Sequence, residues 1–519
     1  MAQAENLRNQ DSPLDEHSPM RNARVDGDAA RSAGDTLPPA LAFLFLISFA
    51  GILECLKLSS LRDTDIWWHV RIGDWILENK AWPMSGLFSQ ASGSVWRDFN
   101  WGYDVVVALA FRLLGLRALP ALLIAWRMAF AVISFLLAGG WRNFWAAFGL
   151  SVISQFLLLA LGPGPGFVSL IFFGFELLVL LEVRDSGNSG LLFMLPVLFL
   201  FWANLDADFV YGIVLLLLFL GATLIEHGEK SRRVSGLERR PGKDSLRIGV
   251  LAAAGCLFAT LLNPYGWNTI FFFLPDRFSL VNDYLPAFKA SSFRQPQDYL
   301  LMLLTMAAFL SLGLRRSSDL FQISALVACT ALAFSSRQEI GFLVVVSVAV
   351  NGRLFLPDDS LRKSQALFDW NQKRFGFFAG AATLIVLTFV VTVPRDRQAL
   401  LANISQNLPV HAADFLRQQP QAQPLFNTYQ WGGFLMWYLP EYPVAIDTRP
   451  ELYSDEARRA YFRAINADIP YRDCPSMNQA RTLLMEKGNV MGEALRGVKG
   501  FQLIYEDDLA VIYSRVGQR

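Results

Sequence analysis

Long apolar runs constrain this chain more than any other feature of its sequence. They lie near 41–58, 119–138, 145–161, 167–183, 190–203, 209–225, 248–271, 298–314, 320–335, 340–354 and 376–393. Many reach the ~18 consecutive apolar residues that mark a membrane span. For 519 residues, length alone suggests roughly three soluble domains, and the runs overrule that expectation. Composition agrees: 53% of residues are hydrophobic, 18% are charged, and there are 42 Phe and 14 Trp. A soluble chain carries about 25% charge. The expected architecture is an all-α polytopic membrane protein with about eleven transmembrane helices. A soluble enzyme and a secreted disulfide scaffold are excluded. So is a nucleic-acid partner, because a net charge of +1 leaves no basic footprint.

The distribution of charge divides the chain further. Residues 1–36 are polar and mixed in charge, cannot bury a core, and are expected to be a disordered cytoplasmic tail. The apolar segment 103–116 is interrupted by Asp104 and Arg112; it either spans or lies along the interface as an amphipathic helix. Loop charge favours the interfacial reading. With the N-terminus inside, Lys230, Arg232, Arg233, Arg239, Arg240, Lys243 and Arg247 are cytoplasmic, as are Arg315, Arg316, Arg353, Arg362 and Lys363. The short loops 162–166, 204–208 and 335–339, nearly free of Lys and Arg, then face outward. Residues 37–394 form the transmembrane part with a first external loop at 60–118. From 395 to 519 the composition turns mixed and Pro/Gly-punctuated, as expected of a small extracytoplasmic α/β domain. Strands are expected at 442–446, 501–505 and 509–514, and helices at 455–465 and 476–487. Cys55, Cys256 and Cys329 sit in apolar runs as packing residues, and no cysteine pair has metal-ligand spacing.

Chemistry-bearing residues gather on the outward side. The first loop opens Asp63-Thr64-Asp65-Ile66-Trp67-Trp68-His69, followed by Arg71, Gly73, Asp74 and Trp75. A helix over 65–77 sets Asp65 and His69 on one face. This stretch reads either as an interfacial helix with a tryptophan belt or as a catalytic carboxylate at the membrane surface. The turn Trp202-Ala203-Asn204-Leu205-Asp206-Ala207-Asp208 carries an Asp-x-Asp pair, able to hold a divalent cation such as Mg or Mn through oxygen or to cap the next helix. Asn263-Pro264-Tyr265-Gly266-Trp267 is either a helix end or a site-facing element. Arg337 either binds a phosphate or pairs with Glu339 and the headgroups. Tyr429, Trp431, Asp447 and Arg449 form either a sugar platform or a packed turn with a buried Asp447–Arg449 contact.

The first loop resembles that of the GT-C glycosyltransferases, polytopic enzymes that use polyprenyl-phosphate-linked sugars. The resemblance rests on the 63–69 motif, Gly73, Trp75, Pro83, Phe88-Ser89 and Trp96 with Trp101. Asp65 with Arg71 six residues later also resembles a pattern of oligosaccharyltransferase catalytic subunits. Asn263-Pro264-Tyr265-Gly266 and the segments 426–435 and 445–453 resemble further elements of a bacterial branch. The resemblance implies a GT-C-like fold in a bacterial inner membrane with the C-terminal domain outside. The implied activity is inverting transfer of a sugar from a polyprenyl-phosphate donor to an unknown glycan, lipid or protein acceptor. It implies Asp65 as base, with Asp63 second, and His69, Arg71, Asn204, Asn263, Tyr265 and Arg337 as donor-binding groups. Asp206 and Asp208 are the metal candidates, and no other cofactor is implied. Two departures stand out: Asp206 occupies the place of a family-like His, and the 162–166 turn lacks an Arg often found there. Alternatives from other classes are a transporter or flippase, and a non-catalytic GT-C-like assembly protein. A transporter would favour internal repeats, and this sequence has none.

The sidedness has a direct test. In cysteine variants, a membrane-impermeant maleimide added to intact cells is expected to label position 204 and not position 235. The reverse pattern would sink the topology.

Overall fold

The computed structural model describes residues 39, 41–49, 51–230, 243–269, 284–285, 288–315, 319–354, 372–449 and 452–516. The tail at 1–36 and much of the basic loops at 230–247 and 353–374 lie outside them. Each expected apolar run contains helix; among the described residues, fewer than eleven of these helices have the length to cross a membrane. Trp101–Leu137, Pro165–Ser186, Phe209–Glu226 and Pro296–Leu314 are long and apolar enough. A fifth is added if Ala379–Thr392 and Arg397–Ile404, bent by 94°, count as one span. Phe144–Leu157, Leu320–Ser335 and Ile340–Leu354 are shorter. At 1.5 Å per residue, 14–16 residues reach only ~21–24 Å against a hydrocarbon core of ~30 Å. Segment 103–116 is helical and continuous with the run that follows it. The helix Trp101–Leu114 runs through a 3-10 turn at Gly115–Arg117 into Ala118–Leu137, one helical stretch of 37 residues.

Two short helices carry the first loop. Ile66–Asn79 starts where the Asp63 carboxylate accepts the backbone N–H groups of Asp65 and Ile66, both at 2.9 Å. These are donors that a helix start would otherwise leave unpaired. The helix ends at Lys80, in the left-handed region at φ 52°. Its inner face buries Ile66, Trp67, Val70, Ile72 and Ile76. Trp101–Leu114 lies against it, with Asp98 accepting the Asn100 N–H at 3.1 Å just before its start. Gly73 makes the close crossing: a Cβ there would run into the backbone carbonyl of Asp104.

The C-terminal part holds a four-stranded sheet of order β1-β2-β4-β3, from Leu425–Asn427 (β1), Thr482–Glu486 (β2), Phe501–Glu506 (β3) and Ala510–Arg515 (β4). β1 pairs parallel with β2, and the other pairs are antiparallel. The expected helix Asp455–Ile465 and the expected strands near 501 and 509 are present. Two expectations change. Residues 476–487 split into a short helix, Pro475–Gln479, and β2, because Thr482–Met485 are buried between β1 and β4. Residues 442–446 form no strand of this sheet. Instead Val444 makes a parallel bridge with Ser89 of the first loop.

That bridge belongs to a wider seam. The Gln90 N–H donates to the Val444 carbonyl (2.9 Å) and the Val444 N–H to the Phe88 carbonyl (3.1 Å). The Ser89 hydroxyl meets the Tyr453 hydroxyl at 2.9 Å. Trp67, fully buried, packs against Phe434 and Trp437 at 5.5 and 4.6 Å between ring centroids. Burying a side chain of this size is worth on the order of 3 kcal/mol. The first loop is thus clamped between the membrane helices and the C-terminal part.

Gly73→Ala is expected to lower stability by about 1–3 kcal/mol through overpacking. The readout is the thermal unfolding of the purified protein in detergent, and an unchanged midpoint would show that the crossing is looser than described.

Candidate functional site

A cavity of about 350 Å3 opens where the first loop, the membrane helices and the C-terminal part meet. Its polar wall includes Asp63, Asp65, His69, Asp98, Asp206 and Asp208, with Arg97 and Arg449. Its apolar wall comes from Leu161, Phe167, Leu170 and Phe342. Six sequence-nominated residues, far apart in the chain, therefore share one space: Asp63, Asp65, His69, Asp206, Asp208 and Arg449.

The carboxylates differ in setting. Asp65 is exposed, and its Oδ1 accepts the Thr64 hydroxyl at 3.0 Å. Asp63 is partly buried and commits Oδ1 to the helix start. Burial, and then the charge of Asp65, push Asp63 up to about 6. Asp98 is almost fully buried, and burial, followed by the charge of Asp104, holds it well above the usual carboxylate range. Asp206 Oδ2 accepts the Ser169 hydroxyl at 2.5 Å, and the Ser169 Oγ in turn accepts the Trp202 indole N–H at 2.7 Å.

His69 is fixed on both sides. Its Nδ1 lies 2.5 Å from Asp104 Oδ1, both side chains being buried. Its ring stacks on Trp68 at 3.6 Å and meets Tyr103 edge-on at 5.0 Å. Burial pushes the imidazole down to about 4, so it is neutral at physiological pH. The 162–166 turn closes the same corner. Tyr103 donates its hydroxyl to the Pro163 carbonyl, and a Cβ at Gly162 would strike the Asp63 carboxylate. Position 162 has no room for a side chain while the Asp63 carboxylate stays where it is.

The other nominated residues lie outside the cavity lining. Arg71 covers the ring of Phe88, 4.4 Å from its centroid. Asn204 accepts from the Trp101 indole (3.0 Å) and donates to the Leu200 and Leu262 carbonyls. Asn263 organises its own turn: Oδ1 accepts the Tyr265 and Gly266 N–H groups, both at 2.8 Å. The Tyr265 hydroxyl accepts the Asp98 N–H at 3.3 Å, so Tyr265 supports the site from behind. Arg337 pairs with Asp298 at 3.3 Å, and its neighbour Gln338 lines the cavity in its place. Tyr429 and Trp431 are buried in the C-terminal core rather than presented as a platform. Among the described residues, no group of three or more His, Cys, Asp or Glu is placed to hold a metal ion. One Asp206 oxygen is engaged by Ser169, so the Asp206–Asp208 pair could hold a divalent cation only together with water or substrate oxygens. Sequence reasoning missed Arg97, Asp98 and Asp104. Asp104 interrupts an apolar helix, which is the signal that could have found it.

No family model matches the sequence, and no curated protein matches it. Among solved structures, the chain is similar to the apo oligosaccharyltransferase of Archaeoglobus fulgidus (TM-score 0.48, 12% identity, 86% of this chain and 69% of that one). It is also similar to ArnT of Cupriavidus metallidurans in the apo state (0.46, 14%, 94% and 98%). The same ArnT bound to undecaprenyl phosphate matches at 0.44 and 13%, over 93% and 98%. Both neighbours are GT-C glycosyltransferases.

The two shifted groups give opposite pH signatures. The folded state keeps a proton on Asp63 up to about 6, where the usual carboxylate has lost it by 3.8, so this group's contribution falls as pH rises through that window. His69 stays neutral in the fold down to about 4, below its usual 6.5, so its contribution rises with pH between those values. Asp63→Asn keeps the helix-capping oxygen and removes the falling contribution. The stability of Asp63→Asn relative to wild type is expected to grow between pH 4 and 7, by on the order of 1 kcal/mol given partial exposure. Parallel melting curves across that range would contradict the assignment.

Proposed function

We propose that this protein is a membrane glycosyltransferase that moves a sugar from a polyprenyl-phosphate donor to an acceptor at the outer membrane surface. The observation that carries the reading is the cavity's two-sided lining. Carboxylates of the first loop and of the 206–208 turn face apolar side chains of the membrane helices across one small space. That suits a polar head group carried on a lipid tail, because the tail needs an apolar path and the head needs hydrogen-bond partners.

Asp65 is the base in this reading. It is the exposed carboxylate of the lining, whereas Asp63 spends an oxygen on the helix start. The acceptor hydroxyl attacks the anomeric carbon, and its proton passes to Asp65. The carbon–oxygen bond to phosphate breaks, and the polyprenyl phosphate leaves with the electron pair. Arg97, on the cavity wall, supplies cationic stabilisation for that leaving group. Neutral His69 contributes orientation of the Ile66–Asn79 helix against Trp101–Leu114 rather than charge.

The test is consumption of polyprenyl-phosphate sugars by the purified protein in lipid. Asp65→Asn is expected to lower turnover by about 10²–10⁴-fold. Turnover unchanged in that variant would remove Asp65 from the role. Counterflow uptake into proteoliposomes that survives the substitution would favour transport.

A further inference from the structure

Buried polar atoms without hydrogen-bond partners are few in native proteins, and each asks for a reason. Several belong to side chains that line the cavity: the indole N–H groups of Trp68 and Trp96, Asn100 Oδ1, Thr448 Oγ1 and Arg449 Nη1. Two of these, Thr448 and Arg449, come from the C-terminal part. Arg449 is 1% exposed and held in place from three directions. Asp447 takes its Nε and Nη2 at 2.9 and 2.6 Å, the Leu87 carbonyl accepts from Nη2 at 3.1 Å, and the guanidinium lies 4.7 Å over the Trp96 ring. All of this leaves Nη1 unused. Thr448 sits between the two members of that ion pair, and its hydroxyl is buried without a partner.

The nature of the missing partner follows from the atoms. The set mixes donors, from two indoles and a guanidinium, with an amide acceptor and a hydroxyl that can act either way. An anion would satisfy the donors and leave the acceptor unpaired. The charge of Arg449, moreover, is already matched by Asp447. One face of each indole is covered, Trp68 by His69 and Trp96 by Arg449, and the N–H groups of both remain without partners. A neutral polyol, whose hydroxyls donate and accept, satisfies every one of these atoms.

We propose that Thr448, Arg449, Asn100, Trp68 and Trp96 form the subsite that reads the hydroxyl groups of the transferred sugar, with the C-terminal part supplying the Thr448 and Arg449 contacts. This rests on the glycosyltransferase reading and assigns the sugar, not the lipid phosphate, to this end of the cavity. It makes Thr448 a specificity-determining residue with an unusual signature. Removing an unpaired buried hydroxyl does not destabilise the empty protein, yet it removes a contact to the ligand.

The experiment uses full-length protein in detergent and the methyl glycosides of glucose, mannose, galactose and arabinose. Inorganic phosphate and undecaprenyl phosphate serve as the anion probes, and binding is measured by calorimetry. At least one glycoside is expected to saturate. Thr448→Val is expected to weaken it about 3- to 10-fold, with a melting temperature no lower than wild type, and Thr448→Ser to restore it. Undecaprenyl phosphate is expected to bind wild type and Thr448→Val equally. The subsite is overturned if no glycoside saturates, if Thr448→Val binds it as wild type does, or if either phosphate probe is the ligand that Thr448→Val weakens. Loss of the subsite with donor turnover intact would leave the transferase reading standing; absence of donor turnover with glycoside binding intact would overturn only that reading.

Discussion

A guanidinium removed from water has to be matched by charge and hydrogen bonds, or the fold that contains it is not stable. Arg449 is the place where this chain meets that requirement, and the join between its parts depends on how it does so. The two-pronged contact with Asp447 neutralises the charge, and Tyr453 adds a hydrogen bond to the same carboxylate at 2.8 Å. The remaining contacts reach out of the C-terminal part, to the Leu87 carbonyl and the Trp96 ring of the first loop. Tyr453 does likewise through Ser89. An ion pair that is internal to one part of the chain thus holds the other part by its leftover hydrogen-bonding capacity.

Much of the fold was legible because its signals are local and periodic. The apolar runs, the helix over the first loop, the helix at 455–465 and the two last strands all follow from side-chain patterning. The number of crossings was less legible, since apolarity marks a buried helix and a membrane-spanning one alike, and only length separates them. Residues 476–487 misled for a related reason. Met477, Leu483, Leu484 and Met485 suit either a helix or a strand, and pairing with β1 and β4, invisible in the sequence, decided for the strand.

The site was legible to the extent that it used motif residues in the first loop and the 206–208 turn. Arg337 and Asn263 drew attention as lone polar groups beside apolar helices, and both turned out to serve the backbone or a nearby acid. Asp98 and Asp104 were overlooked because neither stands in a conspicuous motif. What makes them matter is a contact between two carboxyl groups and a third with His69, made across turns of chain that no spacing rule connects.

Burial bears first on how charge is arranged in the cavity: it holds Asp98 well above the usual carboxylate range, and the charge of Asp104 adds to the effect. His69, beside them, is neutral for the same reason of burial. The deep end is therefore poor in charge despite its count of ionisable residues, and it suits neutral hydrogen-bonding groups. Asp65 is exposed at the start of the helix. In the proposed transferase reading, a charge-poor interior lets a sugar be desolvated without a charge penalty.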